Sequence, residues 1–248
     1  MKITFSPYID PAINGPNDNT GVFCPENMLD VPEIQPRPIS EYQPTWYKKL
    51  NFTSDHPSVI DDKTIKACRP VHEYLHTGYC LPLWTDYSFK LDDRTDNVIA
   101  ISKSAYAGHG PEQLGPTRPH ERTSESLITK FTNPWLINTP PGYSCLFMQP
   151  FYSFESRFTI LPAIVNTDLF YERIHFPATI SKDINLPFTL PLGYPLIHII
   201  PFKRENWESS VSAMPESIKG AVRKVVYLLR NTMGWTYHKL CGINTSFK

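Results

Sequence analysis

Prolines interrupt this 248-residue chain so often that long regular helices are disfavoured over most of its length. The chain has 25 prolines against 11 glycines, and each proline removes a backbone donor and fixes φ near about −65°. Between the prolines lie short runs rich in aromatic and β-branched residues, which are typical of strands. The pattern therefore predicts a mainly β protein whose strands are joined by stiff turns.

The second half of the chain carries the densest series of such runs. They follow one another closely, with Pro, Gly or Asn between them, which is the spacing of an antiparallel barrel or a two-sheet jelly roll. We therefore predict a single antiparallel β-barrel or jelly-roll domain over residues 47–214. The predicted strands are YCLPLWTDYSFKL and DNVIAISK, which we expect to pair, followed by LITKFTNPWLINT, YSCLFMQPF, FTILPAIVNTDLF, RIHFPATI, FTLPLGY and PLIHIIPFK.

The two ends of the chain depart from this pattern. Residues 1–46 hold eight prolines and scattered apolar residues without periodicity. We expect an extended arm that lies over the domain or a partner subunit, with a disordered arm as the alternative. Residues 215–248 begin with Pro215 and Glu216 and continue with apolar residues at helical spacing, which predicts a C-terminal helix packed on the barrel. Its basic residues form either a binding face or a solvated face.

Composition limits the classes of partner. Lys plus Arg equals Asp plus Glu at 24 each, so we expect no dedicated nucleic-acid binding and no membrane partner. The five cysteines are an odd number without a C-x-x-C pair, which favours reduced thiols. The N-terminus lacks an uninterrupted apolar segment, so we expect a cytoplasmic protein that is not secreted by a signal peptide.

The stretch VHEYLHTGYC contains the H-E-x-x-H pattern of zinc hydrolases through His72, Glu73 and His76. Such a site needs both imidazoles on one continuous helix, with the glutamate as general base and a third ligand elsewhere. Pro70 limits the helix before the first histidine, and Gly78 ends it after the second. The preferred interpretation is two short helical turns ending here, with a metal site at His72 and His76 as the alternative.

A loop over residues 104–125 concentrates Gly, Pro and His between two sets of predicted strands. Loops of this length are usually functional or mobile. Within it, His109, Glu112 and Gln113 are candidate ligand-binding residues. The histidines and acids of the loop are the right types for a cupin-like site, but their spacing does not require one. No cofactor is therefore predicted, with Zn or Fe as the alternative.

Patterns for covalent catalysis and phosphate binding are missing from the sequence. It contains no G-x-S-x-G, S-x-x-K, G-x-x-x-x-G-K or G-x-G-x-x-G motif. No catalytic residue is predicted, and a protein that is not an enzyme is favoured over an enzyme.

The most distinctive stretch is residues 130–207. It holds N-P-W at 133–135, T-P-P-G-Y-S at 139–144, V-x-T-D at 165–168 and I-P-F-K-R-E-x-W at 200–207. This order resembles an uncharacterised family of phage and bacterial proteins. The resemblance implies a phage or bacterial origin, and with it a location in the cytoplasm of the bacterial or infected cell or in the virion. It transfers no activity.

A second similarity is to trimeric dUTPases and dCTP deaminases. In those small β-barrels a P-P-G-Y turn, an aspartate hairpin and a later strand follow in the order of Pro140–Tyr143, Ile164–Phe170 and Gly193–His198. The resemblance implies barrel geometry, trimer formation and a position for Asp168 near a nucleotide. The serine-bearing P-R-S-G element of those enzymes is absent here.

The turn Pro140-Pro141-Gly142-Tyr143 is explained without a ligand, because proline fixes φ and Gly142 takes the positive φ of a type II turn. The leading hypothesis is therefore a non-enzymatic assembly or binding protein of phage type. Such a protein forms a homo-oligomer, with a trimer among the options, or binds other phage proteins. The alternatives are a metal-dependent enzyme, cupin-like or H-E-x-x-H, and a nucleotide-binding barrel similar to dUTPases.

Overall fold

The computed structural model describes residues 1–8, 28–54, 63–91, 98–102, 108–109, 128–181 and 185–232. Its contacts divide the chain into two compact units: residues 1–42 with 78–204, and residues 43–77 with 205–248. The first unit is built from antiparallel strands, and the second contains the α-helices. The mainly β class is confirmed. The predicted segment boundaries at 46 and 214 stay predictions.

The described strands of the first unit are β1 (Thr4–Pro7), β2 (Arg37–Pro38), β3 (Tyr79–Pro82), β4 (Tyr87–Leu91), β5 (Val98–Ser102), β6 (Gly108–His109), β7 (Ile128–Phe131), β8 (Trp135–Asn138), β9 (Tyr143–Met148), β10 (Phe158–Ile160), β11 (Ala163–Val165), β12 (Phe176–Ile180), β13 (Phe188–Leu190) and β14 (Pro195–Lys203). These described strands form four separate sheets. Their order is β11-β9-β14-β3-β2, β10-β12-β7-β6, β13-β4-β5 and β1-β8. The described ladders therefore do not close into the predicted barrel.

Prolines explain why several sheets form. The predicted strand LITKFTNPWLINT is split at Pro134, so that β7 and β8 belong to different sheets. FTILPAIVNTDLF is split in the same way at Pro162, between β10 and β11. A proline cannot donate to a ladder, which makes it a natural place for the chain to change sheets. Likewise β4 pairs with β5 as predicted, whereas β3 pairs with β2 and β14.

The core of the first unit is aromatic. Phe131 is fully buried and its ring lies between 5.1 and 6.0 Å from those of Tyr87, Phe89 and Phe158. Burying one such side chain contributes roughly 1.5–3 kcal/mol. Aliphatic residues of β14 complete this core from the five-stranded sheet.

The described residues of the predicted arm up to residue 42 belong to the first unit itself. β1 pairs along its whole length with β8. Farther on, Met28, Ile34 and Ile39 are buried at 1 to 4% exposure. Of the two expected positions for the arm, these residues occupy the one over their own domain.

The second unit contains α1 (Thr45–Lys49), α2 (Arg69–Tyr74) and α3 (Glu216–Thr232). A 3-10 turn over Ile65–Ala67 precedes α2, so the two short helical turns predicted around the H-E-x-x-H pattern are present. The predicted C-terminal helix begins at Glu216, directly after Pro215. None of the helices among the described residues is both long and apolar enough to cross a bilayer.

Candidate functional site

Three segments that are distant in sequence meet at one end of the five-stranded sheet. The turn Pro140–Tyr143 leads into β9, Asp168 follows β11 by three residues, and Arg204 directly follows β14. The antiparallel ladders β11–β9 and β9–β14 fix this meeting by their register. We call the group of Gly142, Ser144, Asp168 and Arg204 the Asp168 clamp.

Arg204 binds the carboxylate of Asp168 through both of its terminal nitrogens. Nη1 donates to Oδ1 at 2.7 Å, and Nη2 donates to Oδ2 at 2.5 Å. The backbone N–H of Gly142 donates to Oδ2 at 2.7 Å. Nη1 of Arg204 also donates to the carbonyl of Tyr143 and the hydroxyl of Ser144, both at 2.9 Å. One ion pair thus links the ends of three neighbouring strands.

Gly142 gives the turn its shape. Its φ is +83°, the left-handed region that a type II turn requires at its third residue. Tyr143 donates its N–H to the carbonyl of Pro140 at 3.2 Å, and Arg204 donates its backbone N–H to the carbonyl of Gly142 at 2.8 Å. The turn is therefore joined to Asp168 and to Arg204 by backbone as well as side-chain contacts.

The electrostatics of the clamp keep Asp168 ionised. The Arg204 guanidinium is the main reason that the pKa of Asp168 falls to about 2, against the raising effect of burial. The same contact raises the pKa of Arg204. A general base works best with a pKa near the working pH. Because its pKa is low and both its oxygens accept hydrogen bonds, Asp168 is suited to holding strands together rather than to moving protons.

Hydroxyl and amide groups extend the network around the clamp. The hydroxyls of Thr139 and Thr167 lie 2.7 Å apart, and Ser144 donates to the side-chain oxygen of Asn166 at 2.8 Å. Thr167 also donates to the sulfur of Cys145 at 3.4 Å. Burial raises the pKa of the Cys145 thiol, so this cysteine is neutral at physiological pH. These contacts tie the segment after β11 to β9.

The N-P-W segment forms a second buried polar structure, between β7 and β8. The Asn133 side chain donates to the carbonyl of Trp135 at 2.8 Å and accepts from its N–H at 2.9 Å. Nδ1 of His175 accepts the N–H of Asn133 at 3.1 Å, so the ring is neutral with its proton on Nε2. Burial first, then the charges of Lys130 and Arg173, lower the pKa of His175 to about 4.

The H-E-x-x-H histidines lie where α2 ends. The helix stops at Tyr74, and the rings of His72 and His76 stack with centroids 3.9 Å apart. Nδ1 of His76 is 2.7 Å from the carbonyl of His72, and Nε2 is 3.1 Å from Nε2 of Gln43. Within the described ranges, no three His, Cys, Asp or Glu side chains are grouped so as to hold a metal ion.

The predicted loop residues are placed only in part. His109 belongs to β6, where it lies opposite Ile128 of β7. Glu112 and Gln113 lie outside the described residues, as does most of the loop over 104–125. Ligand binding at these three residues stays a prediction.

The sequence does not single out Arg204 as a functional-site residue. It lies inside the I-P-F-K-R-E-x-W pattern, so the signal for its importance was present. What the pattern could not supply was its partner, which is 36 positions away in the chain. An arginine just after a strand has many candidate carboxylates until the register of the sheet is known.

Four exposed apolar side chains lie within eight consecutive residues, 164–171, that also include Asp168. β11 is the last strand of its sheet within the described residues. Ile164 in this strand is 63% exposed, and after the clamp Leu169, Phe170 and Tyr171 are 68, 45 and 66% exposed. We call these four residues the β11 edge.

No protein-family model and no curated protein matches the chain. Among solved structures it is similar to a dUTPase from phage phi11 of S. aureus, at 10% identity and a TM-score of 0.32, over 74% of this chain and 97% of that one. A mutant dUTPase of Staphylococcus bacteriophage 80alpha with dUpNHpp is 8% identical at a TM-score of 0.31, over 67% and 88% of the two chains. At these TM-scores the likeness carries no conclusion about function. The resemblance to the uncharacterised phage and bacterial family stays a prediction.

Proposed function

We propose that this protein is a non-enzymatic binding or assembly protein of phage type, and that it works as a homo-oligomer through the β11 edge. The observation that carries this proposal is the cluster of four large apolar side chains, each at least 45% exposed, on one short stretch of the chain. Clustered apolar exposure of this kind marks interaction surfaces in soluble proteins, whereas single exposed residues do not.

Hydrogen bonds within the protein itself order the backbone of the β11 edge. The N–H groups of Leu169 and Phe170 both donate to the carbonyl of Asn166 at 2.9 Å. The neighbouring Asp168 is fixed by Arg204 and Gly142. A surface that is already ordered loses less conformational entropy on binding, so each apolar contact adds more to affinity.

The clamp also bears on the choice between this proposal and a nucleotide-binding barrel. A sugar-facing aspartate needs an oxygen available to the ligand. Both oxygens of Asp168 accept hydrogen bonds within the protein, and its side chain is only 3% exposed. These contacts support an architectural role for the residue that the dUTPase resemblance places near a nucleotide.

Light scattering coupled to size exclusion tests the proposal on the full chain. The edge variant Leu169→Ser with Tyr171→Ser is compared with a matched variant, Phe151→Ser with Trp207→Ser, whose original side chains are 63 and 87% exposed. We expect the wild type and the matched variant to form the same oligomer, and the edge variant to shift to monomer with an unchanged circular dichroism spectrum.

A wild-type protein that is monomeric at every concentration overturns the proposed function. So does an oligomer that both variants weaken equally. A rise in melting temperature with deoxynucleoside triphosphates, absent in Asp168→Asn, points instead to the nucleotide-binding alternative, since a ligand of the folded state alone raises Tm.

A further inference from the structure

The helix α3 is amphipathic, with apolar residues grouped on one side. At about 100° per residue, its apolar residues cover an arc of roughly 160°. Within the arc Ile218 and Val226 are 50 and 39% exposed, and Val222 and Val225 are half-buried. The arc residues whose side chains the structure describes are, in order around the helix, Leu228, Ala221, Val225, Ile218, Val222 and Val226.

Basic residues border this apolar arc on both sides. Lys219 and Arg223 follow Val226 around the helix, and Lys224 lies beyond the other border. Over its length the helix carries four basic residues and one acidic residue, although opposite charges over the whole chain are balanced at 24 each. Glu216, the acidic residue, pairs with Lys219. The local positive charge therefore complements a negatively charged partner surface.

The width of the arc helps to identify that partner. A coiled-coil seam needs only a narrow stripe of two positions per heptad, whereas α3 adds apolar residues on both sides of such a stripe. A broad apolar face with basic borders suits a flat medium that is apolar inside and anionic at its surface. Lys and Arg side chains at such borders bury their alkyl stems while their charges stay at the headgroups.

From this geometry and charge we propose that α3 lies on anionic lipid bilayers, with Ile218, Val222, Val225 and Val226 facing the acyl chains and its basic residues at acidic headgroups. This inference is independent of the proposed function. It differs from the expectation, drawn from the balanced overall charge, that the protein has no membrane partner, because a local patch of charge can act at a membrane surface whatever the net charge.

Vesicle cosedimentation of the full chain tests the proposal. One set of vesicles contains phosphatidylcholine and phosphatidylserine in equal parts, and the other contains phosphatidylcholine alone. We expect partitioning onto the mixed vesicles to exceed that onto the neutral ones by at least about tenfold at low salt, and to weaken as salt screens the charges.

Two variants of equal net charge distinguish vesicle binding through the apolar face from binding by charge attraction alone. Val222→Glu with Val225→Glu places two acids within the arc, and Gly220→Glu with Asn231→Glu places two on the opposite side. An added Cβ at Gly220 meets no atom within 4 Å. We expect the first variant to lose at least about tenfold more vesicle partitioning than the second.

Three results would overturn this proposal. The first is a wild-type protein that stays in the supernatant with mixed vesicles at low salt. The second is an equal loss in the two charge-matched variants, which would mean that net charge alone acts. The third is a lipid-independent oligomer that only the arc variant dissociates, which would assign α3 to contact between copies. Circular dichroism of each variant confirms that it folds.

Discussion

The Asp168 clamp and the H-E-x-x-H segment both stand out in the sequence, yet they are built in opposite ways. The H-E-x-x-H histidines lie four residues apart, and their hydrogen bonds reach a neighbouring carbonyl and Gln43. The clamp joins Gly142, Asp168 and Arg204, which lie up to 62 positions apart, through a bidentate ion pair and a backbone N–H. The H-E-x-x-H histidines, which are close in sequence, thus form a local stack of rings. The clamp residues, which are far apart in sequence, meet in one network of hydrogen bonds.

Contacts between residues close in sequence depend little on tertiary structure, whereas contacts between distant strands depend on it fully. Residues four apart on a helix are neighbours whatever the rest of the chain does. They form a metal site only if the helix continues and a third ligand arrives. Residues on three strands meet only through the register of the sheet, and a register shift of one residue would turn every side chain to the other face.

The largest effect is expected at Gly78, which follows the H-E-x-x-H segment. Its φ is +87°, and a Cβ there would lie 2.1 Å from the carbonyl oxygen of Ile199 in β14. Gly78→Ala should reduce the free energy of unfolding by more than about 4 kcal/mol, or prevent folding, since backbone must move. Urea denaturation measures this change.

Gly142 in the clamp provides the matched control for Gly78. Its φ of +83° is similar, but an added Cβ meets no atom within 4 Å. Gly142→Ala should therefore cost only the left-handed backbone term of about 1–2 kcal/mol. Equal losses at the two glycines would contradict the close approach of β14 to Gly78.

The second expected effect is at the clamp itself. Asp168→Ala leaves Arg204 without its carboxylate and should lower Tm by roughly 5 to 10 °C. The partly buried helix pair of Arg69 and Glu73 in α2 is the reference, and Glu73→Ala should lower Tm by about 1 °C, because an i,i+4 ion pair on a helix contributes only about 0.3–0.5 kcal/mol. Calorimetry of both variants decides whether the clamp or the helix pair matters more to stability.

The stability that the clamp contributes should also depend on pH. The pKa of Asp168 is lowered from 3.8 to about 2, so its contribution to stability is complete above about pH 3.8 and is lost as the pH falls toward 2. In Asp168→Asn this acid-dependent part should disappear. An acid transition that is identical in wild type and variant would argue against the ionised clamp.

An effect at milder pH should come from His175 in the N-P-W structure. Its pKa is lowered from 6.5 to about 4 in the folded protein, so the unfolded chain binds the proton first. Stability is then complete above about pH 6.5 and declines by on the order of 3 kcal/mol as the pH falls to 4. Lys130, Arg173 and Glu172 act on this ring and stay in the variant.

Denaturation of wild type and His175→Gln at pH 7 and at the acid end of this range measures the decline. The difference between the two proteins isolates this histidine from the remaining titrating groups. A wild-type protein no more sensitive to pH than the variant would show that the contact of His175 with Asn133 does not hold in solution.

The smallest effect is expected for metal binding by the H-E-x-x-H segment. If Nδ1 of His76 donates to the carbonyl of His72, its Nε2 accepts from Gln43 and has no lone pair left for a ligand. Elemental analysis of protein purified without chelator should give less than about a tenth of an equivalent of Zn or Fe, also after reconstitution. A full equivalent that His72→Ala removes would restore the metal-dependent alternative.

Local rules explain how much of the fold was predictable. The proline-separated runs indicated nearly every strand from β7 onward, and Pro215 with Glu216 marked the start of α3. The proline and glycine around the H-E-x-x-H pattern indicated its early end. In each case the signal and the structure lie within a few residues, so backbone restriction and side-chain periodicity are sufficient.

Sheet membership was not predictable in this way. The sequence indicated strands but joined them into one closed barrel, whereas Pro134 and Pro162 direct successive strands into different sheets. A proline marks a place where a ladder can be interrupted, although Pro177 and Pro201 lie within continuous ladders. It does not show which other strand the chain will pair with next, because that choice is made by contacts across long sequence distances.

By itself the sequence determined that this protein is mainly β, which segments of its second half form strands, and that a two-sided helix begins at Glu216. Tertiary structure alone decided that Asp168 would meet Arg204 and Gly142, and that Ile164 and Leu169–Tyr171 would lie exposed beside them. The physical reason is range: backbone dihedrals and periodicity act between near neighbours, while an ion pair between strands exists only once the ladders have set their register.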